Sequence, residues 1–243
     1  MESLPLYESF ELRRITGPTI RPGGFALTER AVDVCGIHAD DRVLDVGCGL
    51  GATVRRLDVT YGFKAIGVDT SFDLLDEGRS MDSSVSLMAG HADRLPFGNN
   101  RFDAVFCECV LSLLDDPHRA LIEMGRVLKP EGCLIMSDLY ARRPQGHVPL
   151  KDLPLNSCLK GARPRSEISG LVQEAGFSPV LWEDHSHLLK HLAARLVFEY
   201  GSMREFWSLF APQCERSSLE DAIRLARPGY YLFISRKGGR NNG

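Results

Sequence analysis

Asp45, Gly47, Gly49 and Gly51 fall on alternate positions of the run DVGCGLGA, residues 45–52. Glycines so spaced let a backbone turn tightly and approach a ligand without a Cβ in the way. Two ligands use such a turn. Read as G-x-G-x-x-A, the run could cradle the pyrophosphate of a nicotinamide dinucleotide. Read as D-x-G-x-G-x-G, it could hold the methionine end of S-adenosylmethionine, with Cys48 inside the turn. Asp45 separates the two, because a carboxylate there repels a pyrophosphate but tolerates a sulfonium and an ammonium. Further acids follow at intervals. Asp69, with Thr70 behind it, closes KAIGVD and suits two ribose hydroxyls. Asp93, behind Ala92, closes HAD, where an exocyclic amine could donate to it. Cys107 and Glu108 sit in CEC at the end of another apolar run, whose backbone carbonyls could receive an ammonium. Plainer readings stand beside these: a bare strand–helix turn, a helix-dipole carboxylate at Asp69, a loop cap at Asp93, and core filler at Cys48 and Cys107.

Such residues act together only if a fold gathers them. RVLDVG, KAIGVD, SVSLMAG, RFDAVFCEC and CLIMSDLY read as strands, alternating with helical runs such as ATVRRLDVTYG, SFDLLDEGRS and PHRALIEMGRVLKPEG. That alternation predicts an α/β fold, a doubly wound parallel sheet with helices on both faces. Ligands of such sheets lie across the carboxyl ends of the strands, where the chemistry-bearing residues above fall. A proline-bearing, partly irregular loop over 141–164 follows, then a helix near 166–175, the strand SPVLWED, a helical cap over about 186–226, and YYLFISRK as a closing strand. We expect one domain over 1–243: an N-terminal lid and helix (1–40, with Tyr7 and Phe10 over the site), a cofactor-binding core (41–140) and a substrate-side half (141–243).

Composition narrows the partners. The 243 residues are 44% hydrophobic and 25% charged, as in soluble globular proteins. A net charge of −3 gives no electrostatic footprint for nucleic acid. No apolar run approaches the roughly 18 residues that span a bilayer, and the first residues hold no apolar signal core, so the expectation is a cytoplasmic protein with no membrane partner. The seven cysteines have no framework spacing, and Cys107 with Cys109 is not a usual zinc pair. No metal is expected. Oligomeric state is left open.

In order along the chain, VLDVGCGLG, IGVDTS, GHADRLPFGNNRFDAVFCECVLSLLDD and EMGRVLKPEGCLIMSDL resemble successive motifs of class I S-adenosylmethionine-dependent methyltransferases. The resemblance is closest to the small-molecule branch that includes quinone C-methyltransferases and arsenite methyltransferases. It runs from about Arg42 to Leu139 and continues through SEISGLVQEAGFSPV. It implies a Rossmann-like, seven-stranded, mostly parallel sheet with its last strand reversed. It also implies roles: Asp45 and the three glycines around the methionine moiety, Asp69 on the ribose, Ala92 and Asp93 at adenine, Cys107 and Glu108 near the methionine amine. The implied reaction is in-line methyl transfer to a small molecule, leaving S-adenosyl-L-homocysteine.

The acceptor is not legible in those motifs. Cys158, in NSCLKGA, and Cys214 resemble thiols of arsenite methyltransferases, and soft thiolates suit trivalent arsenic; yet GPTIRPGG stands where those enzymes carry Tyr-Gly-Cys-Gly. Candidate bases are His185, past SPVLWED, His147, past CLIMSDLY, and Tyr140, which ends that run. His187 and His191 share a helix face and, with Glu183 or Asp184, make a metal conceivable. The blander reading is an amphipathic helix whose Leu188, Leu192, Leu196 and Phe198, with Phe206 and Trp207, roof a pocket for a small organic acceptor. A nicotinamide-dependent oxidoreductase and a non-catalytic S-adenosylmethionine binder remain the alternatives.

Overall fold

The computed structural model describes residues 9–238. Tyr7 lies outside them, and only the backbone of Phe10 is described. Buried runs of branched and aromatic residues form β1 (Arg42–Val46), β2 (Lys64–Asp69), β3 (Leu87–Ala89), β4 (Phe102–Glu108) and β5 (Leu128–Ala141). These pair in parallel in the order β3-β2-β1-β4-β5. A two-residue strand, β6 (Arg163–Pro164), pairs with the end of β5. β8 (Gly229–Lys237) lies antiparallel between β5 and the outermost strand, β7 (Phe177–Asp184). The main path thus has the seven strands expected, with the last one reversed. Strand order turns back between β1 and β4, which opens the crevice that doubly wound sheets offer to ligands.

Alternation along the strands sorts side chains to two faces. Val43, Ala104, Phe106 and Ile135 pack with α2 (Ala26–Cys35), α3 (Ala52–Tyr61) and α10 (Arg216–Ala226). Leu44, Val46, Val105 and Cys107 pack on the other face with α5 (Pro117–Val127) and α7 (Arg165–Glu174). Each fully buried leucine or phenylalanine contributes roughly 1.5–3 kcal/mol. Pro117 opens α5 behind the Asp116 cap, as Pro in a first turn should. The helix stops at Val127 rather than running on through KPEG, because Leu128 is taken into the sheet opposite Phe102.

Two regions depart from the sequence reading. The proline-bearing segment after β5 is not an open loop: it forms the short α6 (His147–Lys151), and Leu150, Leu153, Leu155 and Leu159 are buried in the main core. Its fit is close at Gly161, where a Cβ would stand 1.8 Å from the Ser112 carbonyl oxygen. The cap is three helices, α8 (Ser186–Tyr200), α9 (Met203–Phe210) and α10. Among the described residues no helix is long and apolar enough to cross a membrane.

Candidate functional site: a cavity over the strand tips

A cavity of about 1010 Å³ lies over the ends of β1, β2 and β4 and under α8–α10. Asp45, Gly47, Cys48, Gly49, Asp69, Thr70, Ala92, Asp93 and Glu108 line it. Of the expected cofactor residues, Gly51 and Cys107 alone are missing from its wall. The glycine turn between β1 and α3 explains the first. Gly47, Gly49 and Gly51 all have left-handed φ, at 76°, 52° and 78°. A Cβ on Gly47 would stand 2.2 Å from Val110, and one on Gly51 2.7 Å from Leu87, so these two make room for the protein's own side chains. Only at Gly49 is the space open, with nothing nearer than 3.9 Å. Asp69 fastens the turn to β2: its carboxylate accepts from the Gly49 N–H at 2.7 Å and the Ser71 N–H at 2.9 Å.

Asp45 and Glu108 project from the same sheet face on adjacent strands, where two bare carboxylates would repel. A cation that the sequence reading missed meets them. Arg21, in the segment before α2, pairs with Glu108 at 2.8 Å, and both side chains are buried. Arg21 also donates to Thr53 Oγ1 (3.0 Å), Thr28 Oγ1 (2.7 Å) and the Gly24 carbonyl (2.8 Å), while the Thr28 hydroxyl donates to Glu108 at 2.9 Å. RPGG reads as a polar entry loop, and nothing in its composition marks one arginine for burial. Asp45 is different. It is only 4% exposed, lines the cavity and has no hydrogen-bond partner among the described residues. Burial, then the neighbouring Glu108 charge, pushes its carboxyl up to about 8, with Arg21 opposing.

Cys107 and Cys109 part company at the strand end. Cys107 is sealed in the core on the face away from α2 and α3. Cys109 takes a left-handed φ of 58°, lines the cavity, and lies with its thiol 3.2 Å from the Tyr230 hydroxyl. Ser157 and Cys158 line the cavity from the segment after β5. Burial pushes the Cys158 thiol up to about 12. The Ser157 hydroxyl is buried without a hydrogen-bond partner among the described residues. Cys214 does not join them: it is not among the described lining residues, and its thiol contacts the Pro154 carbonyl at 3.6 Å.

None of the three candidate bases is among the described residues lining the cavity. His185 follows the outermost strand, three strand spacings or about 14 Å from β4, where its Nε2 lies 2.9 Å from Glu183. His147 holds its own segment through the Ala162 carbonyl, 3.1 Å from Nδ1. Tyr140 points to the opposite sheet face and donates to Asp184 at 2.8 Å. Nor does the His187–His191 pair make a metal centre: no cluster of metal-ligating side chains occurs among the described residues. The apolar roof is partly as expected. Leu192, Leu196, Phe206 and Trp207 line the cavity, Leu188 does not, and Phe198 points outward at 92% exposure.

Comparison with known proteins matches this geometry. Residues 44–136 match the methyltransferase domain family. A demethylmenaquinone methyltransferase of Renibacterium salmoninarum is 36% identical over 107 residues, 44% of this chain and 45% of that protein. The chain spans about half the length of the curated relatives it matches. Among solved structures, Haemonchus contortus phosphoethanolamine N-methyltransferase 2 in complex with S-adenosyl-L-methionine superposes with a TM-score of 0.70 at 18% identity, over 94% of this chain and 56% of that one. The [4+2]-cyclase SpnF gives 0.66 at 23% identity, over 87% and 81%. These two likenesses establish the fold. The matched stretch, residues 44–136, lies in the parallel half of a Rossmann-like sheet.

Proposed function

We propose that the chain is an S-adenosylmethionine-dependent methyltransferase, one domain working in the cytoplasm on a small molecule. Asp45 carries this reading: a buried carboxylate with no hydrogen-bond partner among the described residues, on the cavity wall beside an uncrowded glycine, calls for a cation. A cation at Asp45 favours its ionised form and offsets the cost of burying it. The acids suit S-adenosyl-L-methionine, the ligand in the N-methyltransferase neighbour's complex, and do not suit a pyrophosphate. That ligand supplies a methyl group on a cationic sulfonium. Asp45 takes its ammonium, Asp69 keeps lone pairs for ribose hydroxyls beyond its two backbone bonds, and Ala92 and Asp93 meet the adenine edge. Arg21 neutralises Glu108, so the neighbouring tip does not add a second bare charge. The cap helices exclude water and hold an acceptor close to the transferred group, where alignment supplies much of the rate. Without Cys214 at the cavity, a thiol-assisted arsenite reaction has lost its expected second thiol.

A fold does not fix its chemistry, as the cyclase neighbour illustrates. Binding and turnover must therefore both be read. Calorimetry should show micromolar affinity for S-adenosylhomocysteine and none for NADH, and incubation with S-adenosylmethionine and an acceptor panel should release S-adenosylhomocysteine. NADH binding in its place makes the chain an oxidoreductase candidate; homocysteine-product binding with no turnover across the panel leaves a non-catalytic binder. Either result overturns the proposal.

A further inference from the structure

The cavity extends well past the residues assigned above to the cofactor, and its remaining wall mixes buried polar, apolar and exposed cationic side chains. One part of that wall is Ser157, 6% exposed, its hydroxyl buried with no hydrogen-bond partner among the described residues. A buried hydroxyl without a partner costs about 1–3 kcal/mol, a cost that a ligand group reaching Ser157 would relieve. Apolar side chains, Leu192, Trp207, Leu219 and Ile223, line it too. The wall also carries arginines. Arg216, Glu220, Ile223 and Arg224 share one face of α10, at helical spacing, and all four line the cavity.

Arg216 is in the wrong place for helix stability. It opens α10, where the helix dipole disfavours a cation, and no ion pair or hydrogen bond offsets this among the described residues. Arg224 has a partner in Asp221 at 2.7 Å, but both side chains are more than two-thirds exposed, and such a pair yields readily to a better anion. Glu220, the acid on the same face, lies 3.5 Å from Arg204, which also lines the cavity.

We propose that this outer compartment takes an acceptor with an apolar body, an anionic group at the end away from the cofactor, and a polar group at the inner end. Arg216 and Arg224 receive the anion, Trp207 and Ile223 cover the body, and Ser157 hydrogen-bonds the polar group near the transferred methyl. The anion is a carboxylate or a phosphate. This inference rests on the methyltransferase reading for its acceptor role.

Isothermal titration of the full chain tests it, first with S-adenosylhomocysteine and then, on the saturated protein, with decanoate, decyl phosphate, decyltrimethylammonium and 10-hydroxydecanoate. The two anions should bind and the cation should not, and whichever anion binds more tightly identifies the headgroup. Arg216→Gln with Arg224→Gln should weaken the preferred anion at least tenfold and leave S-adenosylhomocysteine within twofold. The hydroxylated chain should bind several-fold more tightly than decanoate, and Ser157→Ala should erase that advantage. Equal binding of cation and anion, or arginine variants without effect, overturns the anion site; no hydroxyl advantage overturns the role of Ser157. Failure of S-adenosylhomocysteine to bind overturns the proposed function instead, and the anion titrations on the protein alone still read this site.

Discussion

The two ends of the cavity are built by opposite means. At the strand tips, charges are buried, fixed by regular elements and tied to one another: Arg21 to Glu108, Asp69 to the glycine turn, Asp45 held ready beside them. Under the cap, charges are exposed and sit on short helices that follow β7, such as Arg204, Arg216 and Arg224. Buried charges act over short distances in low dielectric and tolerate little change. Exposed arginines on a cap can be exchanged with little effect on the sheet. The difference teaches where the molecule places its constants and its variables: the cofactor end is set by the fold, and the acceptor end by side chains laid on it.

Substitutions should separate the two ends by size of effect. Removing Arg21 is the most damaging. Arg21→Ala leaves Glu108 buried without its cation, which should cost about 3–5 kcal/mol, or roughly 10 °C in Tm for a domain of this size. Adding Glu108→Ala should restore much of that loss in a thermal melt; a single variant within 1 °C of wild type would put the buried pair in doubt.

Asp45→Asn should act in the other direction on stability. The folded-state carboxyl is raised to about 8 by burial first and Glu108 second, against about 4 in the unfolded chain. The wild-type protein therefore loses stability as pH rises from about 4 through about 8. The asparagine variant escapes that loss. Its Tm advantage should be absent near pH 4, grow with pH, and level off above pH 8, while its affinity for S-adenosylhomocysteine falls at least tenfold. A constant offset across the range contradicts the assignment.

Next comes the turn. Gly47→Ala forces a side chain into left-handed φ and onto Val110, for a cost of about 1–3 kcal/mol, and should weaken S-adenosylhomocysteine binding by tenfold or more. The smallest effects belong to the histidine and tyrosine that lie off the cavity. His185→Gln and Tyr140→Phe should leave kcat within twofold in a turnover assay, Tyr140→Phe losing about 1 kcal/mol of stability with its bond to Asp184.

The same contrast decides what could be read from the sequence. Asp45, Asp69 and Asp93 stand at fixed offsets from apolar runs, so finding the strands was enough to bring them to the cavity wall. The glycines showed themselves because backbone geometry restricts what else can stand there. Arg21 was invisible because its partner is 87 positions away on another strand tip, and burial of a lone loop arginine leaves no local pattern. Cys107 was chosen over Cys109 for want of a backbone torsion: the left-handed turn at Cys109 brings that thiol to the cavity. His185 looked promising because it follows a strand, but chain order does not reveal that β8 inserts between β5 and β7 and carries that strand to the sheet edge. The apolar plug after β5 was hidden by prolines that mark turns in an open loop and in a packed one alike.

The most direct measurement is a crystal structure of the chain with S-adenosylhomocysteine bound. The ligand should lie across the glycine turn with its ammonium on Asp45, its ribose on Asp69 and its adenine beside Asp93, leaving the compartment between Ser157 and Arg216 open. A ligand lying elsewhere, or an Asp45 carboxylate that touches no part of it, would contradict the charge-matched site on which the reading rests.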